Sequence, residues 1–365
     1  MILMNDFRSE PDELVQNELA AVERVLRSGW YILGNEVKDF EQHWATYCGA
    51  KFAVGVGNGM DAIEIGLRAL GIGTGDEVIT TAMTAFATVL AIMRAGAVPV
   101  LADIDPETAL LDPNSVERCL SPRTKSVLMV HLYGQIRNMD HWTALCKRSG
   151  IVLLEDCAQS HAARWKGKAA GTFGAWGAYS FYPTKNLGAI GDGGMLITDS
   201  SEIAEKSRIL RNYGQSQRYY HSEAGLNSRL DEMQAAILNV RLSWLDIYTR
   251  RRGEIAQVYS SGIENPYIQK MTDPLEWGSH VYHLYVIRCD ARDRLAVYLQ
   301  ERGISSLIHY PIPIHHQGPC LNVRIDPKGL WNAEQHALRC LSLPCHPQMS
   351  DNDLHRVIEA INEFK

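Results

Sequence analysis

Residues Phe52–Ile65 read FAVGVGNGMDAIEI: an apolar run, a glycine turn and, from Asp61, the start of a helix. β-rich residues feeding a tight turn into a helix open a strand–helix crossover unit. Working outward, six more short apolar runs follow. They are EVITTAM (Glu77–Met83), VPVLADID (Val98–Asp105), SVLMVHLYG (Ser126–Gly134), IVLLEDCA (Ile151–Ala158), GAYSFYP (Gly177–Pro183) and GGMLITD (Gly193–Asp199). Near-continuous apolar runs with helices between several of them predict an α/β fold with a mainly parallel sheet covered on both faces. Ligands of such sheets gather beyond the carboxyl ends of the strands. Here the runs end in or near Asn58, Asp103, Gln135, Asp156 and Lys185.

After residue 228 the pattern changes. Leu230, Met233, Ile237, Val240, Trp244 and Ile247 recur at intervals of three and four, which predicts one long amphipathic helix. Arg250, Arg251 and Arg252 are expected at its end, as a solvated terminus facing the negative end of the helix dipole. A strand over 280–289, a helix over 291–303, a Pro- and His-rich loop from Ile308 to Pro319 and a terminal helix complete a smaller α/β unit. The expected division is a large domain over 1–245 and a small C-terminal domain over 246–365.

The balance of 36 Lys+Arg against 42 Asp+Glu, net -6, makes a poor non-specific nucleic-acid binder, because such binding neutralises phosphates with basic side chains. With 46% hydrophobic and 21% charged residues the chain is neither disordered nor fibrous. Eight cysteines without a C-x-x-C pair read as free thiols of a reducing cytoplasm. The opening MILMNDFRSEPDE lacks the basic and apolar regions of a secretory signal, and Val78–Ala102 is too polar to span a bilayer. A cytoplasmic protein that binds neither nucleic acid nor membrane is expected.

Three segments could carry chemistry. In the first, the turn Gly55–Met60 leads into a helix whose first N–H groups would meet an anion. A phosphate cup, a dinucleotide site and a plain tight turn are the readings of it, and Met60 stands where a dinucleotide fingerprint needs glycine. In the second, Ile151–His161, an apolar strand ends in Glu155 and Asp156, with Gln159 in the same loop. A half-buried carboxylate is costly unless paired, so either acid has a chemical use or a structural partner. In the third, Ser180–Gly194, Lys185 enters a glycine-rich turn from a strand end. Taken alone it could be a solvated lysine. Together the three suit pyridoxal phosphate, which needs a Schiff-base lysine, a carboxylate at its ring nitrogen and an anion site.

At this point the sequence resembles the sugar aminotransferases of the DegT/DnrJ/EryC1/StrS group, within fold type I of the pyridoxal phosphate enzymes. The resemblance is carried by SGWYILGNEVKDFE (Ser28–Glu41), Gly55–Ile79, EDCAQSHAA (Glu155–Ala163), Ser180–Gly194, GLNSRLDEMQAAIL (Gly225–Leu238) and HYPIPIHHQ (His309–Gln317). It implies a fold type I aminotransferase with a seven-stranded, mainly parallel sheet between helices in its large domain. It makes Lys185 the covalent cofactor lysine and proton shuttle, puts Asp156 at the ring nitrogen, and sets Gln159 beside the ring with Phe86 stacked on it. Gly59 and Met60 N–H and the Ser180 hydroxyl would hold the phosphate. Asn227 would reach the phosphate of the neighbouring subunit, with Arg229 close by, which implies a homodimer with shared active sites.

The same resemblance implies L-glutamate as amino donor and a nucleotide-linked keto-sugar as acceptor. Tyr182, where many C4 aminotransferases carry His, points to C3 of a dTDP-linked 3-oxo-6-deoxyhexose, although Thr184 replaces the glycine common in that subgroup. A C4 aminotransferase and a non-catalytic nucleotide-sugar-binding regulator are the alternatives. The dehydratase branch carries His in place of the lysine and does not fit. His309, Tyr310 and His315 are expected to face substrate, with a surface loop as the rival reading. Tyr31 is expected at the nucleotide, against an ordinary packed turn. No metal site is expected, because His280 and His283, three apart on one strand, would point to opposite faces.

Overall fold

The computed structural model describes residues 1–365. Its main sheet contains the seven expected strands: β1 (Phe52–Val56), β2 (Glu77–Thr81), β3 (Val98–Ala102), β4 (Thr124–Val130), β5 (Val152–Asp156), β6 (Gly177–Ser180) and β7 (Gly194–Thr198). Their order across the sheet is β1-β7-β6-β5-β4-β2-β3. Pairing is parallel except that β7 runs antiparallel to both its neighbours. Strands β2 and β7 are buried along their whole length, as a sheet covered on both faces requires.

The sheet has one strand more than expected. Two residues, Arg324–Ile325, pair in parallel with β3 at the edge. So short a segment leaves no periodicity to read. Its neighbour Asp326 explains the docking: the carboxylate accepts from Ser115 and from Arg118. That joins the C-terminal part of the chain to the sheet edge.

Helices α1 (Asp12–Ser28) and α2 (Asn35–Cys48) precede β1, while α3 (Gly59–Ala69), α4 (Phe86–Arg94), α5 (Pro113–Cys119) and α6 (Met139–Ser149) form the crossovers between β1 and β5. Val37, Phe40 and Trp44 place one buried face of α2 in the main core. The start of α2 has no cap of its own. Glu232, 196 residues from Glu36, fills that role, accepting the N–H groups of Gly34 (2.8 Å), Val37 (2.9 Å) and Glu36 (2.9 Å). A carboxylate there suits the positive end of the helix dipole. It also explains Gly34, where a Cβ would lie 2.6 Å from Glu232 Oε2.

Helix α7 (Ser201–Leu210) follows β7. The expected long helix is two helices: α8 (Glu232–Leu242) and α9 (Leu245–Gly262), broken at Ser243 and Trp244. The Ser243 hydroxyl donates to the carbonyl of Val240 at 2.8 Å, a local bond that competes with helix continuation. Because α9 then runs on to Gly262, the three arginines sit inside it. Arg252 is buried and donates to the carbonyl of Cys345, and Arg251 bonds Asp351 at 2.8 Å, so these two brace the fold, while Arg250 is exposed.

The C-terminal part packs α9, α10 (Arg292–Glu301) and α12 (Asp351–Glu363) on a small sheet around a separate core of residues such as Tyr259, Ile287, Leu299, Leu343 and Val357. Helix α11 (Trp331–Arg339) leads into the strand Cys340–Leu343, which pairs antiparallel with Tyr285–Arg288. The strand expected over 280–289 is thus confined to Tyr285–Arg288. Tyr282 sits at φ +46°, outside the β region, and blocks an earlier start. His280 stacks on Tyr282 with ring centroids 4.0 Å apart, while His283 Nδ1 lies 3.2 Å from Asn186 Oδ1, so the two histidines face different partners. All eight cysteines are buried and unpaired. No helix is long and apolar enough to cross a membrane.

Candidate active site

The first wall of the site follows from β1 delivering Asn58 to the start of α3. Asn58 Oδ1 accepts the N–H of Asp61 at 2.8 Å and caps the helix. The first turn of any helix leaves N–H groups without intrahelical partners, and Gly59 and Met60 supply two of them. A Cβ on Gly59 would lie 2.6 Å from Ser180 Cβ, so only glycine lets this helix end press against the end of β6. The Ser180 hydroxyl and these amides therefore share one small region, a cup suited to a phosphate.

The second wall is the end of β5, where successive side chains point to opposite faces. Glu155 is fully buried and saturated: its oxygens accept from the amides of Phe173 (2.7 Å), Gly174 (2.8 Å) and Gly171 (2.8 Å), with His131 Nε2 at 2.9 Å. Its role is structural. Asp156 accepts from Ala158 N–H at 3.1 Å and from the Thr88 hydroxyl at 2.8 Å. Burial pushes its carboxyl upward, and those bonds together with the charge of Lys185 oppose the rise.

Lys185 enters from the turn after β6, its N–H bonded to the carbonyl of Tyr182 at 2.9 Å. A Cβ on Gly188 would lie 2.4 Å from the carbonyl oxygen of Pro183, so the turn closes only over glycine. Burial draws the ammonium down from 10.5 to about 8, and the charge of Asp156 partly offsets this. In the cofactor-free protein the unfolded chain then binds more protons than the folded one between pH 8 and 10.5. Stability should rise with pH across that window, by up to about 3 kcal/mol from this group. Cofactor-free Lys185→Met is accordingly expected to be more stable than the parent at pH 7 in urea unfolding, the gain closing toward pH 10.5. No gain at pH 7 would contradict the desolvated lysine.

The loop between α10 and α11 closes the site. Gln159 Oε1 accepts the N–H of Tyr133 at 2.6 Å, and its Nε2 donates to Tyr310 Oη at 3.1 Å. Tyr133 donates its hydroxyl to the carbonyl of His309 at 2.5 Å, and His309 Nδ1 meets Ser342 Oγ at 2.9 Å. Burial, with the charge of Lys185 adding to it, brings His309 down to about 4 and His161 to about 3. Both imidazoles are neutral at pH 7.

Among the expected residues, Asp156, Lys185, Gln159, His309 and Tyr310 converge here, and Gly59, Met60 and Ser180 form the adjoining cup. Phe86 begins α4 beside the residues that buttress Asp156. His315 bonds Glu334 at 3.0 Å and makes no hydrogen bond to this group. Tyr31 is half exposed. Asn227 lies exposed in a bridge to Asn212, and Arg229 Nη1 donates to Asn212 Oδ1 at 3.1 Å with its guanidinium over the Tyr213 ring. Sequence reasoning missed Thr84, Thr88 and Tyr133. The four-residue spacing of the two threonines was the available signal for that pair.

With this geometry in place, the comparison with known proteins is specific. Residues 12–362 match the pattern of the DegT/DnrJ/EryC1/StrS aminotransferase family. The chain belongs to that family. A pleiotropic regulatory protein of Geobacillus stearothermophilus is 44% identical to the aminotransferase over 363 residues, covering 99% of this chain and 98% of its own. A dTDP-3-amino-3,6-dideoxy-α-D-galactopyranose transaminase of Aneurinibacillus thermoaerophilus is 46% identical over 344 residues, 94% of each chain. The crystal structure of DesV from Streptomyces venezuelae in complex with a ketimine intermediate matches with a TM-score of 0.95 at 43% identity, over 99% of this chain and 98% of that one.

The protein is thus a fold type I aminotransferase that works with pyridoxal phosphate. Its residues fit the cofactor: a glycine-walled cup of helix N–H groups for the phosphate, a buried carboxylate for the ring nitrogen, and a desolvated lysine within reach of that carboxylate's charge.

Proposed function

We propose that this aminotransferase moves the amino group of L-glutamate to C3 of a dTDP-linked 3-oxo-6-deoxyhexose, giving a dTDP-3-amino-3,6-dideoxyhexose. The observation that carries the reading is Lys185, partly neutralised by burial, facing the buried Asp156. Tyr182 after Ser180-Phe181, and the 3-amino sugar named for the Aneurinibacillus relative, support the C3 position.

Bound pyridoxal phosphate supplies an electron sink that acidifies the α-carbon of the amino donor. Lys185 Nζ, with a neutral fraction near pH 7 to 8, takes that α-proton. In the reverse half it delivers a proton to the sugar carbon that gains the amino group. Asp156 keeps the ring nitrogen protonated, Gly59, Met60 and Ser180 hold the phosphate, and Gln159 and Phe86 orient the ring. His309 and Tyr310 wall the acceptor side, and His315 and Tyr31 serve the nucleotide-sugar. Asn227, exposed in the single chain, and the half-buried Arg229 complete the site of a second copy in a homodimer. The cofactor-binding part is 1–245 and the small part 246–365, a division supported by the break at Ser243–Trp244 and the separate C-terminal core. A cytoplasmic location suits eight unpaired thiols.

The test begins with protein converted by glutamate to its amino form, then given C3-keto or C4-keto dTDP-sugars. The C3-keto sugar should restore the starting spectrum and yield the amino sugar. Restoration by the C4-keto sugar alone would overturn the position, and restoration by neither would favour a binding role without turnover.

A further inference from the structure

Asp156 does not stand alone at the end of β5. Behind it, the Thr88 hydroxyl lies 2.8 Å from Asp156 Oδ2, and Thr84 Oγ1 lies 2.8 Å from Thr88 Oγ1. All three residues are buried. Asp156 Oδ1 already accepts the Ala158 N–H, and with the carboxylate ionised, as the proposed role requires, Oδ2 can only accept, so the Thr88 proton would point at it. Thr88 then has only lone pairs to offer Thr84, which makes Thr84 the donor. With Asp156 ionised, the chain runs from Thr84 to Thr88 to Asp156. Each bond polarises the next in such a relay. The fold sets it up through the entry to α4, because Thr84 lies in the segment that turns into that helix and Thr88 lies in its first turn.

We propose that Thr88, backed by Thr84, is a positioning residue that keeps the buried Asp156 ionised and aimed to hold a protonated ring nitrogen. The inference rests on the reading of Asp156 given above. Its physical need is plain. A carboxylate removed from water takes up a proton unless donors hold it charged, and a neutral carboxyl offers a pyridinium little. The other groups bearing on Asp156 are Lys185, His131, itself bonded to Glu155, and Tyr310. Lys185 is the residue committed to the cofactor, His131 is shared with Glu155, and Tyr310 is a neutral phenol. The Ala158 amide and the threonine pair are the donors bonded directly to, or in line with, the carboxylate.

The experiment measures the dissociation constant of pyridoxal phosphate from Thr88→Val, Thr88→Ser, Thr84→Val and Asp156→Asn, with the rate of the glutamate half-reaction alongside. Losing one hydrogen bond to a charged group should weaken cofactor binding about 10-fold to 100-fold in Thr88→Val. Thr88→Ser, which keeps the hydroxyl, should stay within about 3-fold of the parent, and Thr84→Val should lose about 3-fold to 10-fold. Asp156→Asn should weaken binding at least as much as Thr88→Val. Parental affinity in Asp156→Asn would sink the reading of Asp156 itself, whatever the threonines do. Weakening in Asp156→Asn with parental affinity in Thr88→Val would overturn the relay alone. Equal losses in the Ser and Val variants would also overturn it, since the hydroxyl would not be the agent. If Thr88→Val fails to fold, Thr84→Val leaves Asp156 and its first donor in place, and parental affinity there overturns the proposal.

Discussion

Lys185→Ala is expected to lower the transamination rate by about 10³-fold or more, because in the proposed mechanism one side chain would supply both the covalent attachment and the proton transfer. Burial has already stripped much of its ammonium's preference for charge, so no neighbour stands ready to replace it. His309 and His161 are held neutral near pH 7, but each is tied by burial to its own surroundings. Lys185→Arg should be nearly as inactive, since a guanidinium stays protonated at any working pH. The expected signature is loss of turnover in both half-reactions with an unchanged circular dichroism spectrum. A loss confined to one half-reaction would show that the lysine does not shuttle the proton in both.

The second large effect separates two adjacent acids. Glu155→Gln should cost about 3–5 kcal/mol of stability, because it leaves buried donors facing an amide in place of a charge. Asp156→Asn should cost the cofactor-free protein less, about 1–2 kcal/mol, since the Thr88 hydroxyl can turn to accept from the new amide and Lys185, already drawn down to about 8, can shed its proton. Turnover should behave in the opposite way, falling sharply in Asp156→Asn and surviving in whatever fraction of Glu155→Gln folds. Urea midpoints and rates on the two variants check this together. Equal stability losses at both positions would erase the distinction drawn between them.

That distinction shows where the sequence stops being legible. Both acids could be seen to need partners, yet the partners of Glu155 are amides of Gly171, Phe173 and Gly174, and backbone groups leave no mark in side-chain patterns. The seven strands were readable because two-sided burial makes them continuously apolar. Gly59, Asp156 and Lys185 were readable because each is chemically odd where it stands. Thr88 was not: inside Phe86–Arg94 a threonine looks like ordinary helix filling until Asp156 is seen beside it. The break at Ser243 was hidden for a related reason, since the apolar spacing runs straight through it and one hydroxyl bond decides the matter. Glu232 carries no signal of its own in the sequence, because its work is done on a helix nearly two hundred residues away.

The central claim is that Lys185 is the residue to which the cofactor is joined. The direct measurement is borohydride reduction of the holoenzyme followed by peptide mass mapping. The visible band should vanish, and the added mass should fall on Lys185, within Ser180–Gly194. Added mass on another lysine, or none after a full complement of cofactor has bound, would contradict the account.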